Sequence, residues 1–488
     1  MNLTQYEGAV ERQRQVARSW LVMVFFLAVP LTWSLPYSAQ AQEPIDHGPP
    51  PRAQGNVEKE QLEERLKRLE KEVKELKGRH EQITGGMQEL VAEQDRQAAE
   101  WASKFDSLRR VPLNELSGTG EKDGWIRNQY VNLDIRFGGF LQASFIHNFQ
   151  DTGVLVDKFR PASFPVPTQR TTSTLMSAKS TRFIFETRKN TQYGRYSTFL
   201  SMDLFGSNDR DDYTMRGRQA YITGVSPFSG WSFLFGRAFS TMRNLQAWPD
   251  MFGREGPQAI GRWFAGMIRY SFQLDEAKHW IFTTAIEEPD TKVTNGNGEE
   301  DWPDGILRLD TNQAWGSLMI ASVVRQLKAT NLANSGSDKA FGYGVTASGT
   351  LGVPGTRDVI KFTGHYGSGY GGLYIMDLFE EGGQDGVYDD AKGKLRPLEV
   401  YGGYGIYEHP WTDTLRSTAG FGYVGVSNLA IQAGNSYKKT FWVLASLIYR
   451  PFKAFDMGLE YYWGQRENKD GQTGAVNRLM FSNKFYFN

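Results

Sequence analysis

The sequence predicts an all-β fold, a transmembrane antiparallel β-barrel of about sixteen strands with an N-terminal α-helical coiled-coil segment. Three observations predict this fold: a secretory-type N-terminus, a two-residue alternation of apolar and polar side chains over the C-terminal three quarters, and connections that alternate between short and long. The chain's end illustrates the alternation, because Leu479, Phe481 and Phe485 share one parity whereas Arg478 and Lys484 share the other. Successive side chains of a strand point to opposite faces. The final strand therefore has a mostly apolar face and a mostly polar face.

The N-terminus has the features of a signal peptide. The apolar run from Trp20 to Trp33 spans about 14 residues, fewer than the roughly 20 that a membrane-spanning helix requires. It follows three arginines and precedes Ala39-Gln40-Ala41, a small-x-small pattern that signal peptidase accepts. We predict that residues 1–41 are a signal peptide cleaved after Ala41, with an uncleaved membrane anchor as the alternative.

Composition excludes several functional classes. The 488 residues include 55 basic and 55 acidic side chains, so no bulk basic character indicates nucleic acid as a partner. The chain contains no cysteine, which excludes disulfides and thiolate metal sites. A glycine pattern at residues 367–372 resembles a dinucleotide-binding motif but lacks a βαβ context. We therefore expect no cofactor, no metal site and no catalytic residue, and the chain is not predicted to be an enzyme.

The segment before the barrel divides into three parts. Residues 42–55 read as a proline-containing linker, residues 56–105 as a periplasmic coiled coil, and residues 106–129 as a second linker before the barrel at 130–488. The coiled coil is predicted from apolar positions spaced alternately by four and three residues: Leu62, Leu66, Leu69, Val73, Leu76, His80, Ile83, Met87 and Leu90. A single amphipathic helix lying against the barrel is the alternative.

The barrel region contains sixteen segments of period two. Their connections alternate between short turns, expected on the periplasmic side, and long outer loops. The predicted strands are 131–147, 180–190, 193–204, 214–225, 229–239, 263–274, 279–287, 304–312, 315–327, 338–352, 355–367, 397–409, 413–427, 438–450, 454–467 and 475–487. A barrel of this size encloses a water-filled lumen.

The parity of the apolar residues predicts which charged side chains face the lumen. If the apolar parity faces lipid, the inward basic residues are Arg136, Arg182, Arg188, Arg195, Arg269, Arg308, Arg325, Lys361, Arg416, Arg466, Arg478 and Lys484. The inward acidic residues are Asp134, Glu186, Asp203, Asp310, Glu399 and Glu460. Rings of arginine and lysine favour anions in pores, so this excess predicts a lumen of positive potential.

Several short segments resemble a known family when they are taken in order. They are 135–143 (IRFGGFLQA), 181–183 (TRF), 218–221 (RQAY), 236–241 (GRAFST), 268–270 (IRY), 411–417 (WTDTLRS), 458–461 (GLEY) and 477–479 (NRL). Along most of residues 55–487 the chain resembles the DcaP-like outer-membrane porins. The resemblance implies a homotrimer whose arginine-lined constriction passes small anions, dicarboxylates in particular. Family barrels usually end on an aromatic residue, whereas here Phe487 is followed by Asn488.

The connection 240–262 is the third long loop on the outer side, the position at which general porins fold a loop into the lumen. It carries Arg243, Asp250, Arg254, Glu255 and Arg262. Arg237 precedes it on the same parity as the apolar Phe233. An inward position for Arg237 therefore requires a bulge or a tapering strand end.

The predicted function is passive diffusion of small anions, such as dicarboxylates, across a bacterial outer membrane. The candidate constriction residues are Arg182, Arg218, Arg237, Arg243, Arg262, Arg269 and Arg308. The expected partners are small anionic solutes, outer-membrane lipid and lipopolysaccharide, and further copies of the chain in a homotrimer. Two alternatives remain open: a phosphate-selective porin, and a structural protein that tethers the outer membrane to the cell wall through its coiled coil.

Overall fold

The computed structural model describes residues 124–128, 132–154, 157–209, 211–226, 230–275, 279–333, 335–379 and 385–487, with Lys67, Lys71 and Lys74 as isolated helical, exposed positions. The predicted signal peptide, the linker 42–55, most of the linker 106–129 and nearly all of the coiled coil lie outside the described residues. Among those that are described, no helix is long and apolar enough to span a bilayer.

Sixteen antiparallel strands form a closed wall, which confirms the predicted fold class. Numbered along the chain, they are β1 (Leu133–Asn148), β2 (Arg182–Thr191), β3 (Gly194–Asp203), β4 (Arg216–Val225), β5 (Trp231–Phe239), β6 (Phe264–Gln273), β7 (Trp280–Glu287), β8 (Asp304–Gln313), β9 (Gly316–Asn331), β10 (Ser337–Gly352), β11 (Val359–Ser368), β12 (Glu399–Pro410), β13 (Leu415–Ser427), β14 (Tyr437–Phe452), β15 (Phe455–Asn468) and β16 (Thr473–Phe487).

The last strand closes the barrel on the first. β16 pairs with β1 from Gly139 opposite Phe487 to Asn148 opposite Arg478. Towards its N-terminus β1 extends beyond this pairing, and its residues Leu133 to Arg136 pair with a short strand, Trp125–Asn128. That strand belongs to the segment predicted as a linker. On its other edge β1 pairs with β2 and, beyond a break, with the short strand Ser173–Ser177.

The outward parity carries the apolar belt that the alternation predicts. Leu479, Phe481 and Phe485 are exposed on the outer face of β16, whereas Arg478 and Lys484, on the opposite parity, are buried on the inner face. The same exposed apolar parity continues around the wall. Lipid can cover these side chains in a membrane, where a closed barrel leaves no backbone group unpaired.

The interior is more tightly packed than the sequence suggested. Two long loops enter the barrel: the inner loop (residues 240–263) between β5 and β6, and the tyrosine loop (residues 369–398) between β11 and β12. The tyrosine loop contains the helical turns α1 (Gly371–Tyr374) and α2 (Met376–Phe379) and two short strands, Gly386–Asp389 and Lys394–Pro397. A further short strand, Val293–Thr294, pairs with the first of these, and Gly296–Glu299 extends β8 along β9.

Both loops bury apolar side chains against the inner wall. The inner loop packs Met251, Phe252 and Ile260 against inward residues such as Trp442 and Tyr462. The tyrosine loop packs Leu373, Tyr374 and Leu378 against Ile306, Val323, Val400 and Val424 of the wall. The inner face is therefore partly apolar, and the two loops fill much of the lumen.

Candidate functional site

The inner loop is fastened to the wall where it begins. Glu287, at the end of β7 and fully buried, accepts hydrogen bonds from the Ser240 hydroxyl (2.8 Å) and the Thr241 amide (2.6 Å). Arg308 of β8 donates to the Thr241 carbonyl (3.0 Å) and the Arg243 carbonyl (2.8 Å). These contacts fix the first turn of the loop against strands β7 and β8.

The tip of the loop is fastened to the opposite wall. The buried Glu460 carboxylate on β15 accepts hydrogen bonds from the amides of Phe252 (2.8 Å) and Gly253 (3.1 Å). Asp250 binds Arg416 of β13, and Lys361 of β11 donates to the Trp248 carbonyl (2.8 Å). The loop therefore crosses the barrel, as predicted, and divides its interior.

A polar cavity of about 220 Å³ lies between the first half of the inner loop and strands β6, β7 and β8. Three predicted constriction residues line it: Arg243 from the loop, Arg269 from β6 and Arg308 from β8. Its other polar lining groups are Ser240, Thr241, Asn244, Gln246, Ser271, Thr283, Asp310 and Asn312, of which only Asp310 is acidic. The cavity therefore presents three guanidiniums and one carboxylate, with neutral hydrogen-bonding groups around them.

Arg243 is the least compensated of the three cations. Its side chain is 2% exposed, and none of its three guanidinium nitrogens has a hydrogen-bond partner among the described residues. Three aromatic rings surround it, with centroids at 4.3 Å (Trp263), 4.7 Å (Trp248) and 5.0 Å (Phe239) from the guanidinium carbon. Cation–π contacts stabilise this charge in part. Burial nevertheless lowers the pKa of Arg243 below that of a free guanidinium.

The other two cavity arginines are held rigidly by the protein. Arg308 forms a bidentate pair with Asp310 (2.7 and 2.6 Å) in addition to its two bonds to the inner loop. Arg269 donates to the Thr241 hydroxyl (2.9 Å) and to the carbonyl of Phe239. Because Asp310 neutralises only one guanidinium, the cavity lining keeps a net positive charge.

Arg182 and Arg218 belong to a neighbouring cluster centred on Asp203. Arg218 donates to the Asp203 carboxylate (2.6 Å), and Arg182 lies opposite Asp203 in the β2–β3 register. The Arg218 guanidinium also lies over the Trp263 ring at 4.9 Å, on which Arg243 stacks as well. A register shift in β4 explains its position, since Gln219 and Gly217 pair with consecutive residues of β3 and leave Arg218 as the extra residue.

The other two predicted constriction residues, Arg262 and Arg237, lie outside both the cavity and the Asp203 cluster. Arg262, at the end of the inner loop, donates to the Glu288 carbonyl (2.8 Å) and lies 3.9 Å from Glu287. Arg237 contradicts the prediction. It keeps the outward parity of the exposed Phe235, its side chain is 50% exposed, and it pairs with Glu288. The bulge that an inward position needed occurs at Arg218 and not at Arg237.

The predicted charge pattern of the lumen also requires correction. Glu399 lies on the outward parity of β12, beside the exposed Tyr401. Conversely, the prediction missed four carboxylates on the inner face: Glu287, Asp304, Glu408 and Asp456. The predicted inward set likewise missed three basic residues, Arg216, Arg218 and Arg450, so basic side chains still outnumber acidic ones on the inner wall.

An ion pair joins the inner loop to the first outer loop. Arg160 donates to Glu255 (2.9 Å), and both side chains are largely buried. Burial alone would raise the pKa of Glu255, but the guanidiniums of Arg160 and Arg254 lower it to about 2. Glu255 is therefore ionised at every physiological pH, and the pair persists well into the acid range.

The described residues contain no group of His, Asp and Glu arranged to hold a metal ion. What they form is a closed sixteen-stranded barrel with a loop across its lumen, the architecture of outer-membrane porins.

Comparison with protein families agrees with that class. The model of the DcaP outer membrane protein family matches residues 117–487, and the chain belongs to this family. The crystal structure of the outer membrane channel DcaP of Acinetobacter baumannii superposes with a TM-score of 0.65 at 20% identity, covering 75% of this chain and 100% of that one. It supports the fold, and family membership places the chain in the outer membrane.

Weaker likenesses carry no argument. OmpT of Vibrio cholerae gives a TM-score of 0.47 at 12% identity, over 75% of this chain and 100% of its own. An anion-selective porin from Comamonas acidovorans gives 0.49 at 9% identity, over 73% and 100%. No curated protein matches the sequence.

Proposed function

We propose that this protein is a diffusion channel that prefers small anions, such as dicarboxylates, and that the arginine cavity is its selective region. The observation that carries the proposal is Arg243, a buried guanidinium without a hydrogen-bond partner among the described residues, beside a polar cavity. A buried charge is costly unless it is paired. A carboxylate in the cavity would be attracted by this uncompensated charge and would meet Arg269 and Arg308, whose side chains are less buried than that of Arg243.

A guanidinium binds carboxylates and phosphates alike, because its planar N–H donors match the oxygens of both groups. A phosphate-selective pore is therefore the competing possibility. The acidic lining residue Asp310 favours anions of modest charge over highly charged ones. Relative block by the two classes of solute separates these possibilities.

We expect the purified protein to conduct with anion preference in a planar bilayer under a salt gradient. Reversal potentials give the chloride-to-potassium permeability ratio, and succinate or phosphate added to one side shows which solute reduces the chloride current at lower concentration. Cation preference would contradict the proposal, and block by phosphate far below the effective succinate concentration would favour the alternative. Deleting residues 56–105 serves as the control, because it should leave the selectivity of the channel unchanged. If the deletion instead weakened the cell envelope and channel loss had little effect, the structural tether would be favoured.

We further propose a homotrimer with its coiled coil in the periplasm. A heptad segment buries its stripe only against other helices, and the chain offers no second heptad run, so the simplest partner is another copy. Native mass spectrometry of the detergent-extracted protein should show a trimer as the main species. A dominant monomer would contradict the assembly without affecting the proposed selectivity.

A further inference from the structure

A buried ion network lies at the base of the tyrosine loop, outside the arginine cavity. Asp304 of β8, Arg325 of β9 and Asp385 of the loop all have completely buried side chains. The Arg325 guanidinium lies 3.1 Å from the Asp385 carboxylate and 3.4 Å from the Asp304 carboxylate, and the Tyr374 hydroxyl donates to Asp304 (2.9 Å). One guanidinium thus lies between two buried carboxylates, which would repel each other without it.

Asp385 also fixes the backbone of two loops. Its carboxylate accepts a hydrogen bond from the Gly372 amide in α1 (3.0 Å) and another from the Lys292 amide in the outer loop between β7 and β8 (3.0 Å). One side chain therefore joins three separate parts of the chain: β9, α1 and the loop after β7. The position of α1 inside the barrel depends on these bonds.

The end of α1 and the residues after it contact the inner loop. Ile375 forms an isolated antiparallel bridge with Gly261, and the Met376 amide donates to the Ile260 carbonyl (3.0 Å). Gly261 in turn lies against the start of the same loop, since a Cβ at this position would be 3.3 Å from the Arg243 Cα. A continuous series of contacts thus runs from Asp385 through α1 and Gly261 to Arg243.

We infer that Asp385 is a positioning residue for permeation: by holding α1 against the inner loop, it fixes Arg243 in the selective cavity. This inference rests on the proposed channel function. Asp385 does not line the cavity, so its effect on an ion must pass through the backbone contacts at Gly372, Ile375 and Gly261. Sequence position alone gives no indication of this role, because more than 120 residues separate Asp385 from Arg243.

Asp385→Asn tests the inference. An amide keeps the size of the side chain but removes one of the two carboxylates beside Arg325. It can also accept only one of the two backbone hydrogen bonds, because its NH2 group would face the other amide donor. We expect a folded barrel, judged by heat-modifiable gel migration, whose anion-to-cation permeability ratio falls by about two- to thirtyfold, the range that coupled residues distant from a site produce. Open-channel current should also fluctuate more than in the wild type.

Asp338→Asn is the matched control. Asp338 also holds the tyrosine loop, because it accepts a hydrogen bond from the Leu395 amide (2.9 Å) and pairs with Lys394 (3.2 Å). These contacts are on the short strand Lys394–Pro397, which follows α1 by about twenty residues. Its replacement should leave the permeability ratio unchanged. A loss equal to that of Asp385→Asn would show general loosening of the loop and would overturn the inference.

Tyr374→Phe provides a second, milder variant in case Asp385→Asn does not fold. It removes only the hydroxyl bound to Asp304, and we expect a smaller shift of the permeability ratio in the same direction. If Asp385→Asn and Tyr374→Phe, where they fold, both keep the wild-type permeability ratio, the inference is overturned while the channel proposal stands. A wild-type protein without anion preference would instead refute the proposed function itself, so the two failures are distinguishable.

Discussion

Arg269→Glu and Arg308→Glu should each remove the anion preference of the channel and shift it towards cations. Both side chains line the cavity beside the inner loop, and each substitution changes the local charge by two units. A unit charge about 4 Å from an ion contributes about 1 kcal/mol in water and about 4 kcal/mol at an effective dielectric constant near 20. Since about 1.4 kcal/mol corresponds to a factor of ten, we expect at least a tenfold change in the permeability ratio measured from reversal potentials.

Arg237→Glu is the control for this prediction, because Arg237 carries the same charge on the outward face and pairs with Glu288. Arg466→Glu and Lys484→Glu test the remainder of the lumen. Arg466 donates to the Ala162 carbonyl of the first outer loop, and the Lys484 ammonium lies over the Phe252 ring of the inner loop. All three should shift selectivity much less than the cavity variants. Equal shifts at all positions would mean that the lumen field is diffuse and that no local selective region exists.

Glu460→Ala should destabilise the barrel and widen the passage at the same time. The Glu460 carboxylate accepts hydrogen bonds from the Phe252 and Gly253 amides and from the Tyr462 hydroxyl, and it is fully buried. Each buried donor left without an acceptor costs about 1–3 kcal/mol, so we expect a loss of about 3 kcal/mol or more. The tip of the inner loop also loses its attachment to β15, which should raise single-channel conductance.

Thermal loss of heat-modifiable gel migration measures the stability, and bilayer recording measures the conductance. Glu399→Ala is the matched control, because this glutamate lies on the outer face of β12. Glu460→Gln should show a smaller effect, since its amide oxygen still accepts. Unchanged conductance in a destabilised Glu460→Ala barrel would show that the remaining wall contacts, at Asp250 and Trp248, suffice to hold the loop.

The strands could be predicted because a barrel wall repeats every two residues along its whole length. All sixteen predicted segments correspond to wall strands, and their starts differ by at most four residues, as in the segment 355–367 against Val359–Ser368. Short strands such as Trp125–Asn128 were not predicted, because four residues give too short a pattern to recognise.

The site could be predicted only where the inner face is polar. Parity placed Arg182, Arg269 and Arg308 correctly, since their neighbours alternate clearly. The rule that apolar side chains face lipid fails where a loop covers the inner wall. Around Glu399 the inward Val400 and the last loop residue, Leu398, pack in the apolar cluster of the tyrosine loop, so both parities are apolar and the prediction inverted them.

The tyrosine loop itself carried a signal that parity analysis does not use. Tyr370, Leu373, Tyr374, Ile375 and Leu378 form an apolar cluster in a segment expected to face water. An exposed outer loop would rarely concentrate such residues. The apolar composition of the tyrosine loop therefore predicts that the loop is buried. The sequence does not indicate which residue each of its side chains contacts.

The short strand Trp125–Asn128 protects the barrel from unwanted association with other chains. β16 ends opposite Gly139, whereas β1 extends further towards its N-terminus. Without the short strand, the backbone donors and acceptors on this edge of Leu133 to Arg136 would have no partner strand. An unpaired strand edge is a template on which a strand of another polypeptide can add, and aggregation often begins there. Here the chain's own residues 125–128 pair with this edge. The guanidinium carbons of Arg136 and Arg188 lie 4.9 and 4.1 Å from the centroid of the Trp125 ring. The residues that precede the first wall strand thus act as an intramolecular cap over the part of β1 that β16 does not reach.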